Sequence, residues 1–212
     1  MQWISLSAAQ LSIELVATLA FALSGILAAA RARLDAVGVC IVAGVAAFGG
    51  GTIRDLLLDR RPFFWVEHDY LVWAVLALCI LAMAFMRARH FHPTARAIAW
   101  PDAVGLAMFS ATGTQMALAA EMPALLAVLM GIITAVFGGV LRDVVCNEVP
   151  EAFRDHRPYA VCSFVGGWVM VALDHAGAPA SLTLAAAAAV TLALRALAIR
   201  FDWRVPEWEP DK

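Results

Sequence analysis

Two short segments of this chain combine glycines with an arginine and an aspartate, residue types that can place charge inside an apolar protein. Residues 49 to 62 read GGGTIRDLLLDRRP and residues 137 to 150 read FGGVLRDVVCNEVP, so glycines, an Arg-Asp pair and a proline recur 88 residues apart. An arginine in hydrocarbon costs from about 2.5 to above 10 kcal/mol, so such residues usually face a wet cavity or an ion partner. Arg54 and Arg142 are therefore predicted to lie in or beside an ion path.

The partners of the two arginines are predicted from their depth in the membrane. Glu14 and Asp102 are also 88 residues apart. Within their predicted transmembrane spans, Glu14 lies level with Arg54 in the outer half of the membrane, and Asp102 lies level with Arg142 in the inner half. We therefore expect the ion pairs Glu14 with Arg54 and Asp102 with Arg142, with one arginine near each mouth of a path.

The aspartates that directly follow the arginines, Asp55 and Asp143, belong to the same candidate charge site. Neighbouring residues on a helix do not face each other, so we expect each aspartate to point away from its arginine. The alternative for Arg54 and Arg142 is snorkelling to the lipid headgroups, because each lies four residues from the end of its predicted span.

Glycines and hydroxyl side chains are further candidates for lining a path. Each glycine costs roughly 1 kcal/mol relative to alanine in a helix, so a cluster marks a place where a helix can bend or open. The candidate kinks are Gly49, Gly50, Gly51, Gly138 and Gly139. The candidate path hydroxyls are Ser24, Thr52, Ser110, Thr112 and Thr114. The alternatives are close helix packing for the glycines and hydrogen bonds to the helix backbone for the hydroxyls.

The elements that must position these residues are transmembrane helices. The 212 residues are 63% apolar and 15% charged, whereas soluble domains are about 45 to 50% apolar. Spans of the roughly 20 residues that a bilayer requires can be drawn at about residues 10–30, 37–58, 70–86, 102–120, 124–146, 159–173 and 180–199. We therefore expect an all-α integral membrane protein with seven transmembrane helices and no soluble domain.

The duplication predicts an inverted repeat. The units 14–86 and 102–174 each hold three spans, and three crossings return the chain to the opposite side of the membrane. Inverted repeats place a binding site or pore near the midplane, where both glycine clusters are expected. The seventh span, 180–199, has no counterpart and is followed by a tail at 200–212. The whole chain is predicted to be one membrane domain.

The charges of the loops predict the orientation. Alternate loops collect most of the basic residues on one side, and only Arg60 and Arg61 fall on the other. The basic side holds Arg31, Arg33, Arg87, Arg89, Arg96, Arg154, Arg157, Arg200, Arg204 and Lys212. The positive-inside rule then places the C-terminus in the cytoplasm and the N-terminus outside. The first span is not expected to be a cleaved signal, because no Lys or Arg precedes it and it contains Glu14.

Several function classes lack support in the sequence. No pattern of a hydrolase, phosphate-binding loop or zinc site is present, so we expect neither an enzyme nor a cofactor. His90 and His92 could bind a metal, but a solvated loop is the simpler reading, and no metal site is predicted. The cysteines Cys40, Cys79, Cys146 and Cys162 are interpreted as small packing residues. No basic face suggests nucleic acid.

The paired segments GGGTIRDLLL and FGGVLRDVVC, each with its proline, resemble the prokaryotic branch of the trimeric intracellular cation (TRIC) channels. The resemblance covers about residues 11 to 199, and the family is also classed as a glycine-transporter type. It implies a homotrimer in a prokaryotic inner membrane, with one pore per protomer that passes monovalent cations such as K⁺ between kinked spans two and five. Phe137 stands where the first segment has Gly49, so the second kink is expected to be stiffer. Animal members carry a Lys-Glu-Val motif for phosphoinositide, whereas the only lysine here is Lys212.

Two principal readings of the function remain open at this point. In the first, a hydrated path conducts K⁺ and the arginines are neutralised by their acids or act as gates. In the second, the inverted repeats carry a small neutral amino acid such as glycine by alternating access, and an arginine meets its carboxylate. A membrane scaffold without transport is the third reading, and membrane lipid is the expected surrounding partner of all three.

Overall fold

The computed structural model describes residues 8–89, 93–154 and 157–204, and this part of the chain is all-helical. Its nine helices are α1 (Ala8–Arg31), α2 (Ala36–Leu57), α3 (Phe64–Glu67), α4 (Tyr70–Arg89), α5 (Ala95–Ala119), α6 (Ala124–Val145), α7 (Glu151–Arg154), α8 (Ala160–His175) and α9 (Ala180–Phe201). The predictions made for the loop at His90 and His92 and for Lys212 lie outside the described residues.

Apolar helices identify a membrane protein. Four helices of the described part, α1, α2, α6 and α9, are long and apolar enough to cross a bilayer, with mean hydropathies of 2.0 to 2.5. Two shorter apolar helices, at Tyr70–Met86 and Ala160–His175, correspond to the third and sixth predicted spans. Large apolar side chains such as Trp73 and Leu81 are about two-thirds exposed, as expected for a surface that faces lipid.

The fourth span begins earlier than the sequence predicted. We placed its start at residue 102, whereas α5 begins at Ala95, where the Thr94 side chain caps the helix by accepting the Ala97 N–H at 3.2 Å. Arg96, Pro101 and Asp102 lower the local hydropathy, so the prediction from hydropathy missed the first two turns of the helix. Asp102 consequently lies well inside α5 and not at its end.

The duplication is visible in the backbone at the helix ends. Asp59 follows α2 and Asn147 follows α6, and both have left-handed φ angles, 50° and 58°. Asp and Asn tolerate this conformation better than most residues other than glycine. The backbone N–H of Arg60 then bonds the Asp55 carbonyl at 2.7 Å, and that of Glu148 bonds the Asp143 carbonyl at 2.9 Å. Both helices that carry an arginine therefore end in the same turn.

Corresponding helices of the two copies pack against each other. Along α1 and α5, Gln10 Nε2 donates to Gln115 Oε1 at 2.7 Å, the rings of Phe21 and Phe109 stack at 5.7 Å, and Ser24 Oγ donates to the carbonyl oxygen of Ile98 at 3.3 Å. The partner numbers fall as the α1 numbers rise, so the two helices are antiparallel. Helices α2 and α6 also pack together, and α9 covers α5 and α8.

Candidate functional site

The charged residues predicted to lie in or beside an ion path are buried inside the helix bundle. Among the described residues, the buried charged side chains are Glu14, Arg54, Asp55, Asp102, Arg142, Asp143 and Arg195. Arg54 is 0% exposed and Arg142 is 1% exposed. The snorkelling alternative is therefore wrong for both arginines, which have protein partners inside the bundle.

The first cluster consists of Glu14, Arg54 and Asp55. Arg54 Nη1 donates to Glu14 Oε1 at 2.6 Å, which joins α2 to α1. Arg54 Nε donates to Asp55 Oδ1 at 2.9 Å. The guanidinium also lies 5.2 Å from the ring centroid of Phe64, within the range of a cation–π contact. One guanidinium is thus held by two carboxylates and an aromatic ring.

The second cluster consists of Asp102, Arg142 and Asp143 and repeats the first. Arg142 Nη1 donates to Asp102 Oδ1 at 2.7 Å, and Arg142 Nε donates to Asp143 Oδ1 at 2.7 Å. The same Nη1 also contacts Ser24 Oγ, which brings α1 into the second cluster. The structure therefore contains both ion pairs that depth in the spans predicted, Glu14 with Arg54 and Asp102 with Arg142.

The expected orientation of the following aspartates is wrong. Asp55 and Asp143 turn back to their arginines because their other carboxylate oxygen is fixed from behind. Asp55 Oδ2 accepts the backbone N–H of Phe64 at 2.8 Å, and Asp143 Oδ2 accepts that of Glu151 at 2.9 Å. In each copy, a backbone N–H from the segment after the motif binds Oδ2 of the aspartate. The long arginine side chain then reaches Oδ1 of the same carboxylate.

The sequence reasoning missed two residues next to the second cluster. Arg195 is fully buried on α9, inside a span that hydropathy had treated as plain apolar helix. Its guanidinium lies 4.7 Å from the ring centroid of Tyr159, and Tyr159 donates its hydroxyl to Asp102 Oδ2 at 2.7 Å. An arginine within the last apolar span was the signal available in the sequence, since such residues are costly there.

Most of the candidate hydroxyls bond the helix backbone. Thr114 Oγ1 donates to the Ser110 carbonyl at 2.9 Å, and Thr52 Oγ1 donates to the Phe48 carbonyl at 2.7 Å. Ser110 and Thr112 make longer bonds to backbone carbonyls, at 3.4 Å each. Ser24 differs, because it contacts Arg142 as well as a carbonyl. Ser24 is therefore the hydroxyl of this predicted set that joins a charge cluster.

The glycine clusters bring α2 and α6 into backbone contact. A Cβ added at Gly138 would lie 2.6 Å from the Ala46 carbonyl oxygen, and one at Gly50 would overlap the Thr134 carbonyl. Both helices run without a break through their glycines. At these positions the missing side chains allow close helix packing, the alternative that the sequence left open.

A cavity of about 470 Å³ opens at the end of α6 that carries the second cluster. Arg142 and Asp143 are among its lining residues, and exposed charges surround them. The charged residues that line it are Arg31, Arg142, Asp143, Glu148, Glu151, Arg154 and Arg204. A hydrated ion entering this cavity would meet the second cluster.

Within the described residues, no group of three or more His, Cys, Asp or Glu side chains is arranged to hold a metal ion. The four cysteines are free, and Cys79 and Cys162 are buried. The chemistry that the arrangement supports is electrostatic and rests on buried guanidinium–carboxylate groups.

Comparison with protein families gives one match that occurs twice. The family model described as "Glycine transporter" matches residues 11–87 and 99–175. The two matched segments begin 88 residues apart, the offset that relates the two Arg-Asp motifs.

Known proteins resemble the chain over most of its length. A UPF0126 membrane protein of Vibrio cholerae is 36% identical over 199 residues, which cover 92% of this chain and 80% of that protein. The UPF0126 inner membrane protein YadS of Escherichia coli K12 is 36% identical over 205 residues, which cover 94% of this chain and 96% of YadS.

Solved structures resemble the fold closely. A TRIC trimeric intracellular cation channel orthologue from Rhodobacter sphaeroides superposes with a TM-score of 0.85 at 35% identity, covering 93% of this chain and all of that one. A prokaryotic TRIC channel crystallised in 0.5 M KCl gives a TM-score of 0.84 at 26% identity, covering 92% of this chain and 98% of that one.

Proposed function

The chain belongs to the membrane-protein family described as glycine transporters, whose solved relatives include TRIC cation channels, and we propose that it conducts monovalent cations such as K⁺. The family and its named relatives do not denote an enzyme class. YadS is an inner membrane protein, and the same membrane is proposed here.

The observation that carries this proposal is the neutralisation of both motif arginines. Arg54 and Arg142 each contact two carboxylates, so neither presents a free positive charge to a passing cation. Among the described buried residues, four carboxylates outnumber three guanidiniums. With all of them ionised, the interior is net negative, which favours the entry of cations over anions.

The proposed topology is seven membrane crossings in two inverted repeats, 14–86 and 102–174, with an added helix at 180–199. Antiparallel packing of α1 on α5 supports it, because these are corresponding helices of the two copies. The grouping of Arg31, Arg154 and Arg204 around one cavity supports a single basic side, which is proposed to be cytoplasmic.

The proposed pore lies along α2 and α6, which correspond to predicted spans two and five. The backbones of these two helices are in close contact at Gly50 and Gly138. Conduction then requires α2 and α6 to separate or bend at these glycines, which are the proposed kinks. By similarity to the trimeric channels, the protein is proposed to be a homotrimer with one pore in each protomer.

The transporter alternative has support from the family description alone. A substrate carboxylate would need a guanidinium, and those of Arg54 and Arg142 are already occupied by protein carboxylates. Proteoliposomes loaded with KCl separate the two functions. A channel gives a K⁺ efflux that makes the vesicle interior negative and that glycine does not inhibit. Saturable glycine uptake without K⁺ efflux would contradict the channel proposal.

A further inference from the structure

The partner acids of the two motif arginines are held differently. Both oxygens of Asp102 are occupied, Oδ1 by Arg142 at 2.7 Å and Oδ2 by the Tyr159 hydroxyl at 2.7 Å. Glu14 uses Oε1 for Arg54, whereas its Oε2 is buried and has no hydrogen-bond partner among the described residues. The second hydrogen bond to the partner acid is therefore present at Asp102 and absent at Glu14 among the described residues.

The extra bracing of Asp102 comes from two residues without an equivalent side chain in the first copy. The residue that corresponds to Tyr159 in the first copy is Leu71, which has no group to donate. Tyr159 is 5% exposed, and its ring is covered by the Arg195 guanidinium at 4.7 Å. Arg195 lies on α9, the long helix without a counterpart in either copy.

Arg195 is itself anchored to the segment that carries Tyr159. Its Nη1 donates to the Pro158 carbonyl at 3.2 Å. The guanidinium therefore contacts the two residues that directly precede α8 and fixes the Tyr159 ring from the α9 side. A chain of contacts runs from Arg195 through Tyr159 and Asp102 to Arg142.

Arg142 also has more hydrogen-bond partners than Arg54. Besides two carboxylates, its Nη1 contacts Ser24 Oγ, and Ser24 in turn bonds the Ile98 carbonyl. Thr18 lies one turn after Glu14, yet its Oγ1 is buried and has no hydrogen-bond partner among the described residues. The partner acid of the first cluster, Glu14, thus keeps one unused oxygen, whereas both oxygens of Asp102 are occupied.

From this contrast we propose that Tyr159 and Arg195 are positioning residues that fix Arg142 through Asp102, so that Arg54 is the arginine that moves. The second cluster then forms a rigid part of the ion path, and the first cluster is the gate. The assignment of a gate rests on the proposed channel function. Phe137 in place of Gly49 agrees with a stiffer second half.

Hydrogen exchange of the arginine side chains tests this proposal without any ion flux. Nε of both arginines donates to the following aspartate. Arg142 lines the open cavity whereas Arg54 is fully buried, so slower exchange at Arg142 reports its bracing and not shielding from water. NMR of ¹⁵N-arginine-labelled protein in nanodiscs follows the exchange of both Nε–H groups with water. We expect Arg142 Nε–H to exchange at least about tenfold more slowly than Arg54 Nε–H, a factor that one hydrogen bond to a charged group can supply.

Variants of the two positioning residues supply the decisive comparison. Tyr159→Phe removes only the hydroxyl and should bring the exchange of Arg142 close to that of Arg54. Tyr70→Phe, a change at the other tyrosine of the sequence, which is exposed, should leave both rates unchanged. Arg195→Met should act like Tyr159→Phe, Arg195→Lys should restore part of the protection, and Arg200→Met on the exposed face of α9 should have no effect.

Two results would overturn the proposal. The first is equal or slower exchange of Arg54 in the unmodified protein. The second is protection of Arg142 that survives Tyr159→Phe. Protection that survives Arg195→Met would remove Arg195 from the proposal. Because none of these results depends on current, the exchange data decide the roles of Tyr159 and Arg195 whether or not the protein proves to be a channel.

Discussion

Removal of the Arg54 charge should strongly destabilise the protein. In Arg54→Met, the carboxylates of Glu14 and Asp55 stay buried, 1% and 0% exposed, without their shared guanidinium. Breaking a buried ion pair by removing one partner costs about 3 to 5 kcal/mol, because a charge is left uncompensated. We expect a loss of this size in the free energy of unfolding.

Removing all three charges should restore most of that loss. The triple variant Glu14→Gln, Arg54→Met, Asp55→Asn leaves no buried ion in the first cluster. Replacing a buried ion group by neutral residues of similar volume is often neutral or stabilising. We therefore expect the triple variant to be more stable than Arg54→Met, although Asp55→Asn weakens the bond to the Phe64 N–H.

The assay is equilibrium unfolding in mixed micelles with increasing SDS, followed by fluorescence of the seven tryptophans. Arg60→Met is the matched control, since Arg60 pairs with the partly exposed Glu67 at 3.1 Å. Such surface pairs contribute about 0 to 1 kcal/mol. The charge argument is refuted if Arg54→Met loses no more stability than Arg60→Met, or if the triple variant is as unstable as the single one.

Further predictions concern the helix contact, the second cluster and an exposed ion pair. Gly50→Ala should destabilise by about 1 to 3 kcal/mol because its methyl group would overlap the Thr134 carbonyl, whereas Gly44→Ala, with open space around it, should be neutral or stabilising in the same SDS titration. Asp143→Asn should lower K⁺ efflux from proteoliposomes, because it removes the negative charge and leaves one acceptor oxygen for the N–H groups of Arg142 and Glu151, and unchanged efflux would contradict this role. Hydrogen bonds from Arg157 and Arg204 lower the pKa of Asp202 below its ordinary value of 3.8, so its stabilising contribution is present above that pH and is lost as pH falls through the lower folded value. The melting temperatures of wild type and Asp202→Asn should therefore converge in acid, and a gap that widens there would contradict the sign.

The parts of the site that could be predicted were those carried by the repeat. Offset and depth together predicted both arginine–acid pairs, because a charge inside apolar helices needs a partner and the duplication supplies one at the matching level. Hydropathy likewise located the apolar helices, apart from the start of α5, where Arg96 and Asp102 masked two helical turns.

The parts that could not be predicted depend on contacts between distant segments. The turn of Asp55 toward Arg54 is imposed by the Phe64 N–H, which lies beyond the end of α2. The bracing of Asp102 requires Tyr159, where the first copy has Leu71, and Arg195, which lies outside the repeat. The low helix propensity of glycine suggested flexibility at Gly50. Close packing of Gly50 against α6 offsets that cost, and this packing depends on the surface of α6.

Single-channel recording in planar bilayers tests the central claim most directly. With purified protein under a KCl gradient, the account predicts ohmic unitary steps whose reversal potential lies near the equilibrium potential of K⁺. Reversal near the equilibrium potential of Cl⁻, or an absence of unitary steps together with saturable glycine uptake, would contradict a cation channel with neutralised arginines.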